Sequence, residues 1–206
     1  MKVLLINGSP HRDGCVDTAL KEVELTLNKN GIESEIFWIG NQPVQGCAAC
    51  WKCRENGADG CVFKDDLYTS LVEKIKSADG IVLGSPVYYA APAGAFCAIL
   101  DRVFFSAGKY LTGKVGACVV NCRRGGASAA FDRLNKYFTI LQMQVASSTY
   151  WNSTHGTTPD ETKRDEEGMQ VMRMLGNNIA YILKAKEKAA LPPVETEQKI
   201  ATNFIR

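Results

Sequence analysis

Four cysteines, Cys47, Cys50, Cys53 and Cys61, fall within fifteen residues in the pattern C-x2-C-x2-C-x7-C. Thiols grouped this tightly can ligate a metal or an iron–sulfur cluster, close disulfides, supply a reactive nucleophile, or simply pack. Zinc sites of four cysteines usually use two separated C-x2-C pairs rather than three cysteines in seven residues. The other four of the eight cysteines are scattered, and Cys97 and Cys118 read as small buried hydrophobes.

Three further stretches carry chemistry. Gly8–Thr18 (GSPHRDGCVDT) lies between an apolar run and a helical pattern, where backbone N–H groups and the positive end of a helix make a phosphate cradle. Ser9 and Thr18 add hydroxyls there, and His11 or Arg12 adds charge. Asp17 would repel a phosphate, so it is expected to point away or cap the helix. The loop has neither G-x-G-x-x-G nor a closing G-K-[ST]. The second stretch, Ser85–Pro92 (SPVYYAAP), is stiffened by two prolines and offers the flat faces of Tyr88 and Tyr89. The third, Asn121–Ser128 (NCRRGGAS), combines glycines that permit close backbone approach with Arg123 and Arg124, which can offset charge on a reduced ring. Taken singly, each has an ordinary reading as a turn or a solvated surface.

What joins them is the pattern of elements. Strands are expected at Lys2–Asn7, Glu33–Ile39, Asp79–Ser85, Lys114–Asn121 and Val145–Tyr150. Helices are expected at Thr18–Asn30, from Asp65-Asp66 to Lys76, from Pro92 to Ser106, at Ser128–Leu141 and at Asp160–Lys186. This alternation predicts an α/β flavodoxin-like three-layer sandwich with a five-stranded parallel sheet in the order 2-1-3-4-5. In such a sheet ligands sit beyond the carboxyl ends of the strands, where strand order reverses, and all three loops fall at that end. A phosphate cradle, a stiff aromatic wall and a Gly-Arg loop together describe an FMN site.

Composition sets the remaining bounds. A chain of 206 residues that is 46% hydrophobic suffices for one domain, read as residues 1–188 with an extended tail at 189–206. A net charge of +2 with no long basic run gives no support for a nucleic-acid partner. No run approaches the roughly 18 apolar residues of a membrane span, and none serves as a signal-peptide core. The expected location is therefore the cytoplasm, where clustered thiols are more often metal ligands or redox centres than disulfides.

The stretches INGSPHRDGC, GCAACWKC with GCVFKDD, ADGIVLGSPVYYAAPAG, LDRVF and GKVGACVV resemble the NAD(P)H-dependent FMN reductase family of flavodoxin-like proteins, and most closely its iron–sulfur flavoprotein branch. The resemblance spans about residues 1 to 125, and GSP followed by SPVYY is its most specific part. It implies FMN with its phosphate at Ser9, His11, Arg12, Cys15, Val16 and Thr18. Its ring would lie at Pro86, Val87, Tyr88 and Tyr89, and at Arg123, Arg124 and Gly125. Where family loops often carry Asn-Thr, this chain has Cys15-Val16, so a side-chain phosphate contact is lost.

The resemblance also implies hydride transfer from NAD(P)H to the flavin and onward transfer of electrons to a small molecule or protein. No side-chain general acid is demanded. Cys47, Cys50, Cys53 and Cys61 match positions that ligate a [4Fe–4S] cluster in that branch, although relatives without a cluster keep a similar loop. Two other readings compete: a ferredoxin-reduced electron carrier without nicotinamide activity, and a thiol or metal sensor. His155 could line the pocket, but a lone histidine is more often structural. Trp51 and the tail residues Phe204 and Ile205 suggest an interface in a homodimer or homotetramer.

Overall fold

The computed structural model describes every residue except 56, 57, 196, 199, 203, 205 and 206. The elements are β1 (Lys2–Asn7), α1 (Cys15–Lys29), β2 (Glu33–Trp38), α2 (Asp66–Ser77), β3 (Gly80–Tyr88), β4 (Ala91–Pro92), α3 (Gly94–Ser106), β5 (Val115–Cys122), α4 (Ala127–Thr139), β6 (Gln144–Val145), β7 (Ser153–His155), α5 (Pro159–Arg164) and α6 (Glu166–Ala189).

Strand alternation builds the layers. In β1, Leu4 and Ile6 point into a core with Leu71 and Ile75 of α2, Phe96, Ile99 and Leu100 of α3, and Leu134 and Phe138 of α4. Val3 and Leu5 point the other way, against Val16, Leu20, Val23 and Leu27 of α1 and Met172, Leu175 and Ile179 of α6. Both faces of the sheet are covered, so its strands read as continuous apolar runs.

The parallel order is β2-β1-β3-β5, with β6 and β7 sharing the fifth position. The fold is flavodoxin-like as expected, but the seven strands number more than the five predicted. The expected strand Val145–Tyr150 is replaced by two short ones. β6 pairs with Val115 and Gly116, and β7 with Val120 to Cys122. Asn152 fills the gap: its side chain donates to the Cys118 carbonyl at 3.0 Å, and its carbonyl accepts the Val120 amide at 3.0 Å.

Other boundaries moved for local reasons. The long terminal helix is broken at Asp165, whose backbone leaves the helical region and whose carboxylate caps α6 by accepting the Gly168 amide at 3.0 Å. Pro92 lies in β4, which turns antiparallel onto β3, rather than in the first turn of α3. Beyond Ala190 the described residues have no regular structure, and Leu191, Val194, Ile200 and Phe204 are exposed. The tail residue Ile205 lies outside the described residues. No helix among those described is long and apolar enough to cross a membrane.

Candidate functional site

Strand order reverses between β1 and β3, so the loops leaving those strands flank a crevice at the carboxyl edge of the sheet, with the loop after β5 beside them. Three helices start from these loops, and their N-termini share a property. Gly14, Ala93 and Gly126, which begin α1, α3 and α4, provide no side-chain cap. By contrast α2, α5 and α6 are capped by Asp65, Thr158 and Asp165. First-turn amides carry positive partial charge and need acceptors. The uncapped starts are therefore gathered on one edge of the sheet.

Loop one is shaped from beneath by Asn7, fully buried at the end of β1. Its side-chain oxygen Oδ1 accepts the Ser9 amide at 3.0 Å, and its side-chain nitrogen Nδ2 donates to the Arg12 carbonyl at 3.1 Å. Buried Ser9 accepts the His11 amide on its hydroxyl at 3.1 Å, and Trp38 donates its indole N–H to the Ser9 carbonyl at 2.8 Å. The Arg12 guanidinium lies 5.9 Å from the centre of the Trp38 ring. His11 and Arg12 are exposed, Cys15 is half-buried, and Val16 is in the core. The Thr18 hydroxyl donates to the Gly14 carbonyl at 3.1 Å, which commits that hydrogen inside the helix. Asp17 pairs with Lys21 at 2.7 Å and does not cap the helix. Gly8 must be glycine, because a Cβ there would lie 2.2 Å from the Phe96 ring of α3.

Loop two is a hairpin tip, since β3 runs on through Pro86 and Val87 to Tyr88. Tyr89 and Ala90 both have positive φ, at 51° and 58°. Such a tip suits the twist of a two-residue hairpin but costs non-glycine residues about 1–2 kcal/mol each. Residual strain of this kind concentrates at ligand clamps. Tyr89 stands fully in solvent and Tyr88 is about half exposed.

In loop three, Arg123, Arg124 and Gly125 are exposed, and neither arginine forms an ion pair with a described residue. Gly126 has φ +89°, and its Cα packs beneath the hairpin tip. Burial pushes the Cys122 thiol up, against the Arg124 and Ala127 amides that face it. His155 follows Thr154 at the same edge, with its amide and ring Nδ1 both turned to Asp165 at 2.7 and 3.3 Å. That is a structural histidine's environment.

The cysteine loop leaves β2 and runs along α3. Cys47, Cys50, Cys53 and Cys61 line one hollow, closed on its other side by Arg102, Phe105 and Ser106. Cys47 and Cys50 are exposed, and Cys53 and Cys61 are half-buried. Ala49 and Trp51, either side of Cys50, take positive φ of 50° and 62°. Trp51 meets Phe105 edge-on at 5.5 Å, and Arg54 lies 4.5 Å over the same ring. Burial raises the Cys53 thiol above its ordinary range, opposed by Arg54 and reinforced by Cys61 and Cys47. The Cys61 amide donates to the Tyr68 hydroxyl at 2.9 Å, which pairs with Ser106 at 2.8 Å. Among the described residues, no three Cys, His, Asp or Glu groups converge as a single metal ion requires.

Arg102 ties this loop down. Fully buried in α3, it donates from one terminal nitrogen to the Gln45 carbonyl at 3.2 Å and to Asp65 at 2.6 Å, and from the other to the Phe63 carbonyl. Arg102, within LDRVF, and Asn7 and Trp38 shape the site although no sequence motif assigns them a role. A lone arginine inside the apolar helix GAFCAILDRVFFS, and an asparagine closing an apolar strand, were the available signals.

The sequence profile of the NADPH-dependent FMN reductase family matches residues 1–158. The chain belongs to that family. This makes it an FMN-binding oxidoreductase of flavodoxin-like fold. It is 31% identical over 196 residues to an iron–sulfur flavoprotein of Methanocaldococcus jannaschii, covering 91% of this chain and all of that one. It is 28% identical over 194 residues to an iron–sulfur flavoprotein of Methanosarcina thermophila, covering 91% and 98%. Among solved structures, RosB with bound 8-demethyl-8-formylriboflavin-5'-phosphate superposes with a TM-score of 0.70 at 18% identity, covering all of this chain and 92% of that one. An archaeal flavodoxin superposes at 0.61 with 14% identity, covering 89% and 99%. The solved structures speak for the fold of this FMN reductase relative, and the curated relatives for its family.

Proposed function

We propose that this FMN reductase family member takes hydride from NAD(P)H onto FMN and passes electrons to a small acceptor or a protein, with a [4Fe–4S] cluster held by the cysteine loop. The observation that carries the flavin reading is the gathering of three helix starts without side-chain caps around a strained aromatic tip and two arginines that have no ion-pair partner among the described residues. FMN supplies the means to accept two electrons as hydride and release them singly.

Ser9, with its hydroxyl on the His11 amide, fixes the curve of loop one, so the amides near Cys15 and Val16 meet the phosphate, with Arg12 and His11 giving charge at its rim. Thr18 contributes through the helix turn it stabilises. Pro86, Val87, Tyr88 and Tyr89 border the ring. Arg123, Arg124 and Gly125 set positive charge and close backbone approach at the ring edge that gains electron density.

The donor set of the cysteine loop fits a cluster. Four thiols line one hollow, strained backbone flanks Cys50, and a buried N–H of Arg102 has no acceptor. Alternating backbone of this kind turns amides toward anionic sulfur. Cys47, Cys50, Cys53 and Cys61 would be the ligands, and the cluster would supply one-electron transfer. Arg102 lies eight residues along α3 from Gly94, roughly 12 Å along the helix axis from the edge where the three loops gather, at 1.5 Å per residue. That offset favours a homodimer or homotetramer in which the loop approaches a neighbour's flavin, in a cytoplasmic protein. Light scattering that returns a monomer defeats this part of the reading.

The test is purification without oxygen, with a visible spectrum and iron and sulfide analysis, followed by separate addition of NADH, NADPH and reduced ferredoxin. Bleaching of the flavin by a nicotinamide supports the reading. Bleaching only by ferredoxin replaces it with an electron carrier. Failure to bind FMN in excess defeats both.

A further inference from the structure

Among the described residues, one buried side-chain nitrogen or oxygen lacks a hydrogen-bond partner, the Nε of Arg102. Both terminal nitrogens of that guanidinium are engaged, with Gln45, Phe63 and Asp65, which lie at the two ends of the cysteine loop. One side chain therefore closes the loop at both ends, and Nε is its one nitrogen left without an acceptor. Buried donors without acceptors are rare in native proteins, and each calls for an explanation such as a bound group.

The surroundings narrow the choice of acceptor. Arg102 lines the hollow together with the four thiols. Of the other polar groups near it, Asp65 already accepts from a terminal nitrogen, and the Ser106 hydroxyl is engaged with the Arg102 carbonyl and Tyr68. The remaining lining is Ala48, Trp51, Val62, Phe63 and Phe105, which offers no side-chain acceptor. Among the side chains that line the hollow, the thiols are the acceptors left.

Resting on the cluster reading above, we propose that Arg102 is a positioning residue for a [4Fe–4S] cluster: it closes the loop that carries the ligands and donates its Nε–H to a cluster sulfur or ligand thiolate. Reduction adds negative charge to the cluster. An N–H donor at its sulfur stabilises that charge and raises the reduction potential.

The experiment compares wild type, Arg102→Lys, Asp65→Asn and Tyr68→Phe, each full-length and FMN-loaded, after anaerobic reconstitution with ferrous iron and sulfide. Iron and sulfide per chain are measured first, then the cluster potential by a titration followed by electron paramagnetic resonance. Lysine keeps the charge and can reach the loop carbonyls but has no Nε–H. The expected result is a loaded R102K whose cluster favours the oxidised state about tenfold more, a potential about 59 mV lower for one electron.

D65N keeps Nε and removes a negative charge, so its potential should not fall below that of wild type. Y68F removes the hydroxyl that holds the Cys61 amide and Ser106, leaves Arg102 intact, and should leave the potential unchanged. A loaded R102K at the wild-type potential overturns the proposal, as does an equal fall in Y68F, which would make slackness of the loop the cause. If R102K folds but holds no iron, D65N decides: a potential at or above wild type supports the proposal, and a lower one overturns it. A wild type that takes up no cluster sinks the cluster reading itself, and that is seen before any variant is compared.

Discussion

A Cβ added to Gly126 would lie 2.8 Å from the Cα of Ala90, so the tip between β3 and β4 rests directly on the start of α4. Loops two and three therefore form one surface. Gly126 also holds φ at +89°, where a side chain is strained whatever the space.

Gly126→Ala should thus lose roughly 2–4 kcal/mol, from left-handed backbone and from a contact that backbone cannot yield cheaply. For a chain of this size each kcal/mol lowers the melting temperature by about 2–4 °C. FMN affinity should fall as well, because the displaced tip carries Tyr89. Thermal melting and flavin-fluorescence titration check both effects.

Arg123 and Arg124 are exposed and have no partners among the described residues, so they stabilise nothing visible in the fold. Replacing both with Gln should change stability by about 0.5 kcal/mol or less. If they serve the flavin, FMN affinity should drop about tenfold, roughly 1.4 kcal/mol, and depend less on salt. Unchanged affinity at low and high salt would remove these arginines from the site.

How much of this was visible in the sequence differs between the sheet and its edges. The core strands were legible because a parallel strand covered on both faces must be apolar throughout, as in KVLLIN and KVGACVV. The fifth strand was not, because Asn152 substitutes a side-chain bond for ladder bonds and no periodicity records that. The three loops were found by type, from their glycines, prolines and arginines. Their shared lack of helix caps was not found, because Gly14 and Gly126 signal turns equally well when a cap is absent or present. Arg102 was missed for a simpler reason: a buried guanidinium bonded to main-chain carbonyls far along the chain has no local pattern.

The acid side of the stability profile should reflect Asp65. Burial pushes its carboxyl up, but the Tyr68 amide and the Arg102 guanidinium outweigh this and hold it below the ordinary range. A carboxyl depressed in the folded state contributes stability that is complete above its unfolded value, about 3.9. That contribution is lost as pH falls through the lower folded value. Because Asp65 is partly exposed, the effect should be modest and centred on the loop it anchors. Hydrogen exchange at residues 45–65 should accelerate below about pH 4 in the native protein. In Asp65→Asn the acceleration should be present already at neutral pH and change little on acidification.

The thiols offer the most direct reading of the loop. Cys47 and Cys50 are exposed, Cys53 and Cys61 are half-buried, and Cys118 lies in the core, where burial holds its thiol far above the ordinary range. Alkylation follows the thiolate and its exposure. In anaerobic protein without iron, Cys47 and Cys50 should therefore be modified first, Cys53 and Cys61 more slowly, and Cys118 only on unfolding. Loading with iron and sulfide should slow the four loop cysteines together, since each becomes a ligand, while Cys15 and Cys97 keep their rates. Protection of only two of the four would point to a different metal or a disulfide, and no protection at all would leave the loop a set of free thiols. Mass spectrometry of the alkylated peptides separates these outcomes residue by residue.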